Sequence, residues 1–162
     1  MNNPAANTTQ ARGGARLGSV GGTIHQFVTF YLNGELLGIN ILKVQEIQLP
    51  QPITPVPRAQ RNILGLISLR GQVVTLSDLR FRLGMKLSEP IAKPYHIVVN
   101  TSDTIACLLV DEIGDVIDVP QEKLVAPPES VKEIDADFLD GIYQFKGGIL
   151  SVLNVNTVLE IE

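Results

Sequence analysis

The side chains that could catalyse a reaction are few and scattered in this 162-residue chain. Of the two histidines, His25 and His96, the second lies in a strand-like apolar stretch, with no nucleophile or acid at the spacing of a known catalytic motif. We therefore predict that His96 is a half-exposed strand residue. Cys107 lies between apolar residues, and we predict that it is a small core residue.

Sites for a metal or a phosphate are equally hard to find. The acidic pairs at 111–112 and 135–137 lack the glycine-bearing spacing of a calcium loop, so we predict that they form solvated surface. Gly147 and Gly148 separate two strand-like segments instead of opening a helix, which does not fit a phosphate-binding loop. The sequence thus predicts no catalytic residue, no cofactor site and no metal site, and it favours a binding module.

Composition narrows the class of protein further. The chain is 44% apolar, has a formal net charge of −4 and contains one cysteine, so it can bury a core without disulfides. No apolar run approaches the roughly 20 residues of a membrane helix, and the amino terminus lacks the apolar stretch of a signal peptide. We expect a cytoplasmic protein with no direct membrane insertion.

The charges are unevenly distributed along the chain. Residues 58–86 hold five arginines and Lys86 against Asp78 alone, whereas residues 103–140 hold eleven acids against two lysines. Two interpretations stay open: both faces are merely solvated, or each docks on a different partner, steered by opposite fields. The negative net charge, together with five Phe, three Tyr and no Trp, weighs against nucleic-acid binding.

One structural unit occurs twice, because residues 65–79 recur as residues 141–155 at a constant offset of 76. Each copy reads as a strand, a glycine turn, a second strand and an Asx residue, Asp78 or Asn154, that caps a short helix. An Asn-Gly pair at 33–34 predicts a further hairpin.

Alternating apolar residues predict about ten short strands, with short helical turns at 58–62, 79–83 and 155–161 and a long loop over 126–137. The sequence therefore predicts an all-β protein of two small barrels that arose by internal duplication and pack on a shared core. We divide it into a flexible tail at 1–23, a first barrel at 24–88 and a second at 89–162, with terminal strands open to exchange between the barrels.

From about residue 25 onward, the chain resembles the CheW-type chemotaxis coupling proteins. Several sequence blocks that occur in the family's order carry this resemblance. They are FVTFYL at 27–32, LGINILKVQEI at 37–47, ILGLISLRGQVVTLSDLR at 63–80 and VDEIGDVIDVP at 110–120. The resemblance implies two five-stranded barrels of SH3- or OB-like type, no catalysis and no cofactor. It also implies a cytoplasmic adaptor that links chemoreceptor tips to the regulatory domain of the CheA histidine kinase.

The resemblance also implies a receptor-binding groove. Glu46 falls on the family's glutamate in the third strand, and Arg70 falls on the arginine before the hairpin glycine. The groove that we predict consists of Val44, Glu46, Ile47, Gly65, Leu69, Arg70 and Gly71, of which Ile47 and Leu69 are inferred from adjacency. We predict that Glu46 forms an ion pair with Arg70 and holds its guanidinium in place, and a plain surface salt bridge is the alternative. For the glycines, a turn or bulge role is favoured over direct contact.

Kinase contacts are predicted in the second barrel, at Val98, Asp115, Val116 and Val119. This chain departs from the family pattern at Asn154, where aspartate is usual, and at Thr75, where proline is usual. The alternative function is a small-barrel module that binds single-stranded nucleic acid, since such barrels commonly do so.

Overall fold

The structure is a computed structural model that describes residues 22–86, 91, 93–131 and 134–160. Twelve strands, two short α-helices and three single-turn 3₁₀ helices lie in this part of the chain. The strands are β1 (Ile24–Leu32), β2 (Glu35–Asn40), β3 (Val44–Gln48), β4 (Ile63–Leu69), β5 (Gln72–Asp78), β6 (Tyr95–Asn100), β7 (Ile105–Val110), β8 (Glu112–Pro120), β9 (Ser130–Val131), β10 (Ile134–Asp135), β11 (Leu139–Phe145) and β12 (Gly148–Leu153). The α-helices are α1 (Leu79–Leu83) and α2 (Val155–Leu159).

Ten of these strands form two five-stranded sheets. Sheet I has the order β3-β6-β7-β5-β4, and sheet II has the order β8-β1-β2-β12-β11. Strands β9 and β10 form a small hairpin inside the segment predicted as a long loop. The prediction of an all-β protein built from two five-stranded units with short helical turns is confirmed.

The two sheets repeat one another along the chain. Strands β4 and β5 and helix α1 reappear as β11, β12 and α2 at the predicted offset of 76 residues. In both copies the second strand of the glycine hairpin pairs in parallel with a strand of another hairpin, Thr75 with Ala106 and Ser151 with Leu37. The shared strand order follows from this repeated pairing.

Each sheet combines strands from both halves of the chain. The first hairpin, β1–β2, lies in sheet II beside β8 and β12, whereas the β6–β7 hairpin lies in sheet I beside β3 and β5. The division at residues 24–88 and 89–162 therefore stays a prediction about sequence units. The predicted tail at 1–23 lies outside the described residues except for its last two positions.

Three apolar clusters form the interior of the described structure. The central core lies between the sheets and takes side chains from both of them and from both helices. An inner core lies on the other face of each sheet, with Ile67, Leu76, Val98 and Cys107 in sheet I and Phe27, Val119, Leu150 and Val152 in sheet II. This arrangement confirms a shared core, and each strand that passes between two cores is buried on both faces.

Cys107 is fully buried in the inner core of sheet I, as predicted. Burial is the main reason that the pKa of its thiol rises to about 12.

The prediction for His96 is wrong: the residue is 1% exposed, because β6 is covered by the central core on one face and by the inner core on the other. Burial lowers the pKa of the His96 ring.

The helix ends follow the capping chemistry that the sequence predicts. The Asp78 carboxylate accepts a hydrogen bond from the backbone N–H of Arg80 at 3.0 Å, and Gly84 ends α1 in the left-handed conformation. The Asn154 amide oxygen accepts from the N–H of Thr157 at 3.0 Å.

The helical turn predicted at 58–62 is wrong, because this segment forms two plain turns. None of the helices in the described part of the chain is long and apolar enough to cross a bilayer.

Candidate functional site

The predicted partners Glu46 and Arg70 meet across the two edges of sheet I. Strands β3 and β4 stand at opposite ends of its strand order, yet Arg70 Nη2 lies 3.3 Å from Glu46 Oε1. Sheet I must therefore curl until its edges face each other, as small twisted sheets do. We call this place, with Glu46 on β3 and Arg70 at the β4–β5 turn, the seam.

The β4–β5 turn presents Arg70 to solvent. Arg70 and Gly71 have φ angles of +51° and +84°, which is the pattern of a type I′ turn. The same pattern occurs at Asn33 and Gly34, with φ angles of +53° and +80°. Asparagine is favoured at the first central position of such a turn, whereas arginine is strained there by about 1 kcal/mol. The chain thus holds an exposed guanidinium, 77% accessible, on a strained turn.

We expect Arg70→Asn to raise the free energy of unfolding by up to about 1 kcal/mol. The substitution recreates the Asn-Gly turn that the chain already has at 33–34, and the exposed ion pair that it removes contributes only about 0–1 kcal/mol. Chemical denaturation of the two proteins measures the difference.

The repeat supplies a matched control for this substitution. Lys146 occupies the position equivalent to Arg70, but its φ angle is not in the left-handed region. Lys146→Asn should therefore bring no gain in stability. A loss of more than about 1 kcal/mol in Arg70→Asn would mean that the Arg70 side chain is there to hold the fold together.

Glu46 is the inner partner of the seam. Its side chain is 17% exposed, and its Oε1 also accepts a hydrogen bond from Gln48 Nε2 at 2.8 Å. Its negative charge is the second cause, after burial, of the raised pKa of Cys107. The carboxylate thus faces the inner core of sheet I, while the guanidinium that it binds faces solvent.

The other residues predicted for the receptor groove have different environments. Ile47 is 40% exposed, Val44 packs against the central core, and Leu69 is only 3% exposed within the inner core. Leu69 therefore supports the β4–β5 hairpin by packing and is not available as a groove contact. Gly71 lies in the turn itself, with no heavy atom of the described chain near its missing side chain.

Gly65 is covered by the proline-rich segment 49–62 that connects β3 to β4, which we call the crossover. Thr54 pairs with Leu66 through two backbone hydrogen bonds of 2.8 Å, which lays residues 53–54 across the glycine. A Cβ at Gly65 would lie 2.5 Å from the Thr54 carbonyl oxygen, and its φ angle is +152°. The close approach of two backbones, together with this φ angle, explains the glycine.

The predicted kinase contacts divide between surface and core. Asp115 and Val116 are exposed on β8, an edge strand of sheet II, and Val116 is 51% exposed. Val98 and Val119 are fully buried, in the inner cores of sheets I and II. Only Asp115 and Val116 among the four are placed to touch a partner directly.

Several of the arginines in the basic segment have partners within the fold. Arg80 forms an ion pair with Asp78 at 3.0 Å. Arg82 donates to the backbone carbonyls of Thr157, Val158 and Glu160 at 2.8–3.1 Å. The charge contrast in the sequence therefore overstates the charge that this segment offers to a partner.

A cleft without a signal in the sequence lies next to helix α2. It has a volume of about 330 Å³ and is bordered by β4, β5, β7, the crossover and α2. Its lining includes Val56, Leu66, Thr75, Ala106, Val158 and Leu159. Its lining comes from distant segments of the chain, residues 56–77, 104–106 and 158–160, so no local pattern predicts it.

No group of three or more His, Cys, Asp or Glu side chains in the described residues is arranged to hold a metal ion. His25 Nε2 bonds to Gln121 Oε1, and His96 lies in the core. The arrangement offers an exposed guanidinium fixed by a half-buried carboxylate, which suits the recognition of a protein surface.

Comparison with known proteins agrees with this architecture. The family model of the CheW-like domain matches residues 26–162. A probable chemotaxis protein CheW of Rhizobium etli is 33% identical over 72% of this chain and 76% of its own length, and the chemotaxis protein CheW of Bacillus subtilis is 30% identical over 86% and 90%. The crystal structure of the scaffolding protein TtCheW from Thermoanaerobacter tengcongensis superposes with a TM-score of 0.78, at 28% identity over 86% of this chain and 90% of that one. The repeated sheets and the family match together show that this chain belongs to the CheW-like domain family.

Proposed function

We propose that this chain is a non-catalytic, cytoplasmic scaffold of a chemotaxis or chemotaxis-like pathway. It couples the cytoplasmic tip of a chemoreceptor to the regulatory domain of a CheA-type histidine kinase. The single observation that carries the proposal is Arg70, an exposed guanidinium kept on a strained turn and fixed by Glu46. The name of the structural neighbour, a scaffolding protein, and those of the chemotaxis relatives support it.

The seam suits a helical partner with both polar and apolar side chains. The planar Arg70 fork can bind a carboxylate or a carbonyl of the partner, because Glu46 uses only one of its two terminal nitrogens. Exposed apolar side chains lie close in sequence to the two seam residues, with Ile47 at 40%, Leu49 at 69% and Val73 at 70% exposure. An amphipathic receptor helix meets both requirements.

The kinase is assigned to a separate surface. Asp115 and Val116 on the exposed edge of sheet II form its proposed contact, and they belong to a different sheet from the seam. Separate surfaces allow one chain to hold both partners at once. Binding of single-stranded nucleic acid is not favoured, because the family match points to protein partners and Asp115 lies on an acidic strand.

The test is a pair of binding titrations with the full chain, one with the cognate receptor tip and one with the kinase regulatory domain. Arg70→Ala and Glu46→Ala should each weaken receptor binding about tenfold and leave kinase binding within about twofold. Lys146→Ala, at the position equivalent to Arg70, is the matched control and should change neither affinity.

Two outcomes of these titrations would contradict the proposal. Unchanged receptor affinity in Arg70→Ala would remove the seam from the receptor interface. A parallel loss of both affinities, with a lower unfolding midpoint, would show that the ion pair only maintains the fold.

A further inference from the structure

Two polar residues lie next to the seam: His96 is buried, and Gln48 is partly buried with a buried amide oxygen. Gln48 and His96 are cross-strand partners on β3 and β6, and Glu46 is the partner of Val98 two positions along. Directly opposed residues of an antiparallel pair share a face. Since Val98 belongs to the inner core of sheet I, Glu46, Gln48 and His96 all face that core.

Chemistry fixes the orientation of the Gln48 amide. An ionised carboxylate only accepts hydrogen bonds, so the amide nitrogen must face Glu46, as the 2.8 Å contact shows. The amide oxygen is then directed away from Glu46. This Oε1 and both ring nitrogens of His96 are buried and make no hydrogen bond within the described chain. Buried polar atoms without a partner are costly, which points to a contact between these two neighbours.

The charges that share this face are already paired. Glu46 binds Arg70, and Asp78, which is opposite Leu109, binds Arg80 from α1. The Cys107 thiol on β7 is held in its neutral form by burial. Burial lowers the pKa of His96 and so favours its neutral ring, which carries one N–H.

We propose that Gln48 and His96 are positioning residues of the docking seam: rotation of these side chains lets the neutral His96 ring donate to Gln48 Oε1, a hydrogen bond that the described conformation does not make, and Gln48 holds the Glu46 carboxylate beneath Arg70. The proposal deepens the proposed function and rests on it. Contacts would then connect the interior to the surface through His96, Gln48, Glu46 and Arg70, and we call this series of four residues the relay.

The relay makes a measurable prediction for the titration of His96. A hydrogen-bond acceptor at Gln48 Oε1 favours the protonated ring, so its removal should lower the pKa of His96 further. In Gln48→Met, which has a similar shape and no amide, we expect the midpoint of the His96 ring resonances in NMR to fall by about half a pH unit. The same variant should bind the receptor tip about three- to fivefold more weakly.

Gln45→Met is the matched control. Gln45 is exposed on the same strand, and its amide oxygen accepts from Asn100 instead of reaching into the core. It should leave both the His96 midpoint and receptor binding unchanged. An unchanged His96 midpoint in Gln48→Met would overturn the relay.

Two substitutions at position 96 test the donor directly and do not depend on Gln48→Met folding well. His96→Gln keeps an N–H donor and should bind the receptor tip within about twofold of the wild type, whereas His96→Phe lacks it and should bind about three- to fivefold more weakly. Equal affinities for these two variants would contradict the relay.

The relay and the proposed function fail in different ways. If Arg70→Ala binds the receptor tip like the wild type, the docking assignment is wrong, and the His96 titration still decides whether Gln48 contacts the ring. If Arg70→Ala loses binding while Gln48→Met changes neither readout, the docking assignment stands and the relay is refuted.

Discussion

Gly65→Ala is expected to lower the free energy of unfolding by about 3 kcal/mol, because a Cβ at this position meets backbone atoms that cannot move aside. The new atom would lie 2.5 Å from the Thr54 carbonyl oxygen and 2.6 Å from Ile53 Cγ2. The φ angle of +152° adds strain for any residue with a side chain. Chemical denaturation of the purified variant measures the loss.

Gly71→Ala is the control for conformational strain alone. Gly71 has a φ angle of +84°, and no heavy atom of the described chain lies within 4 Å of a Cβ built there. It should cost about 1 kcal/mol, the penalty of the left-handed conformation. If the two variants lose equal stability, the crossover does not press on Gly65, and the explanation of this glycine by backbone contact is wrong.

The second large effect is expected at Arg82, which joins the two repeat copies. From α1, its guanidinium donates to three carbonyls at the end of α2 and stacks on Phe138, with Cζ 5.0 Å from the ring centroid. Hydrogen bonds from a charged donor and the favourable end of the helix dipole both stabilise this contact. Arg82→Ala should therefore lower the free energy of unfolding by about 3 kcal/mol.

Two further variants test the role of the carbonyl contacts. One changes Arg82 itself, and the other changes a second arginine that stacks on a ring. Arg82→Lys keeps the charge but cannot span three carbonyls, so we expect about half the loss. Arg61→Ala removes an exposed arginine that stacks on Phe81 at 5.2 Å, and it should cost less than about 1 kcal/mol. A loss in Arg82→Ala no larger than that in Arg61→Ala would show that the carbonyl contacts contribute little.

Local patterns in the sequence predict the elements of this fold well. The offset of 76 residues identifies both glycine hairpins and both short helices, because turn glycines and Asx caps act through neighbouring residues. The partnership of Glu46 and Arg70, which rests on family resemblance, is confirmed as a contact of 3.3 Å. Whether a receptor binds there stays a prediction.

Burial was harder to predict, because it depends on pairing between distant strands. Apolar residues occupy both faces of β4 and β6. The sequence pattern therefore predicts Leu69 and His96 nearer the surface than the structure has them. In such a strand, the alternation of side chains between the two faces does not show which face points inward. The exchange of the β1–β2 and β6–β7 hairpins between sheets also has no local signal, and neither does the cleft beside α2.

If one chain carries two docking surfaces, it bridges its two partners. A bead assay measures this: the receptor tip is immobilised, and the amount of kinase regulatory domain retained is compared with and without the full chain. We predict that kinase is retained only when the chain is present, and that Arg70→Ala, with receptor affinity about tenfold weaker, retains much less kinase while still binding kinase in solution. Displacement of the chain from the receptor by added kinase would mean that both partners use one surface, which would contradict the claim.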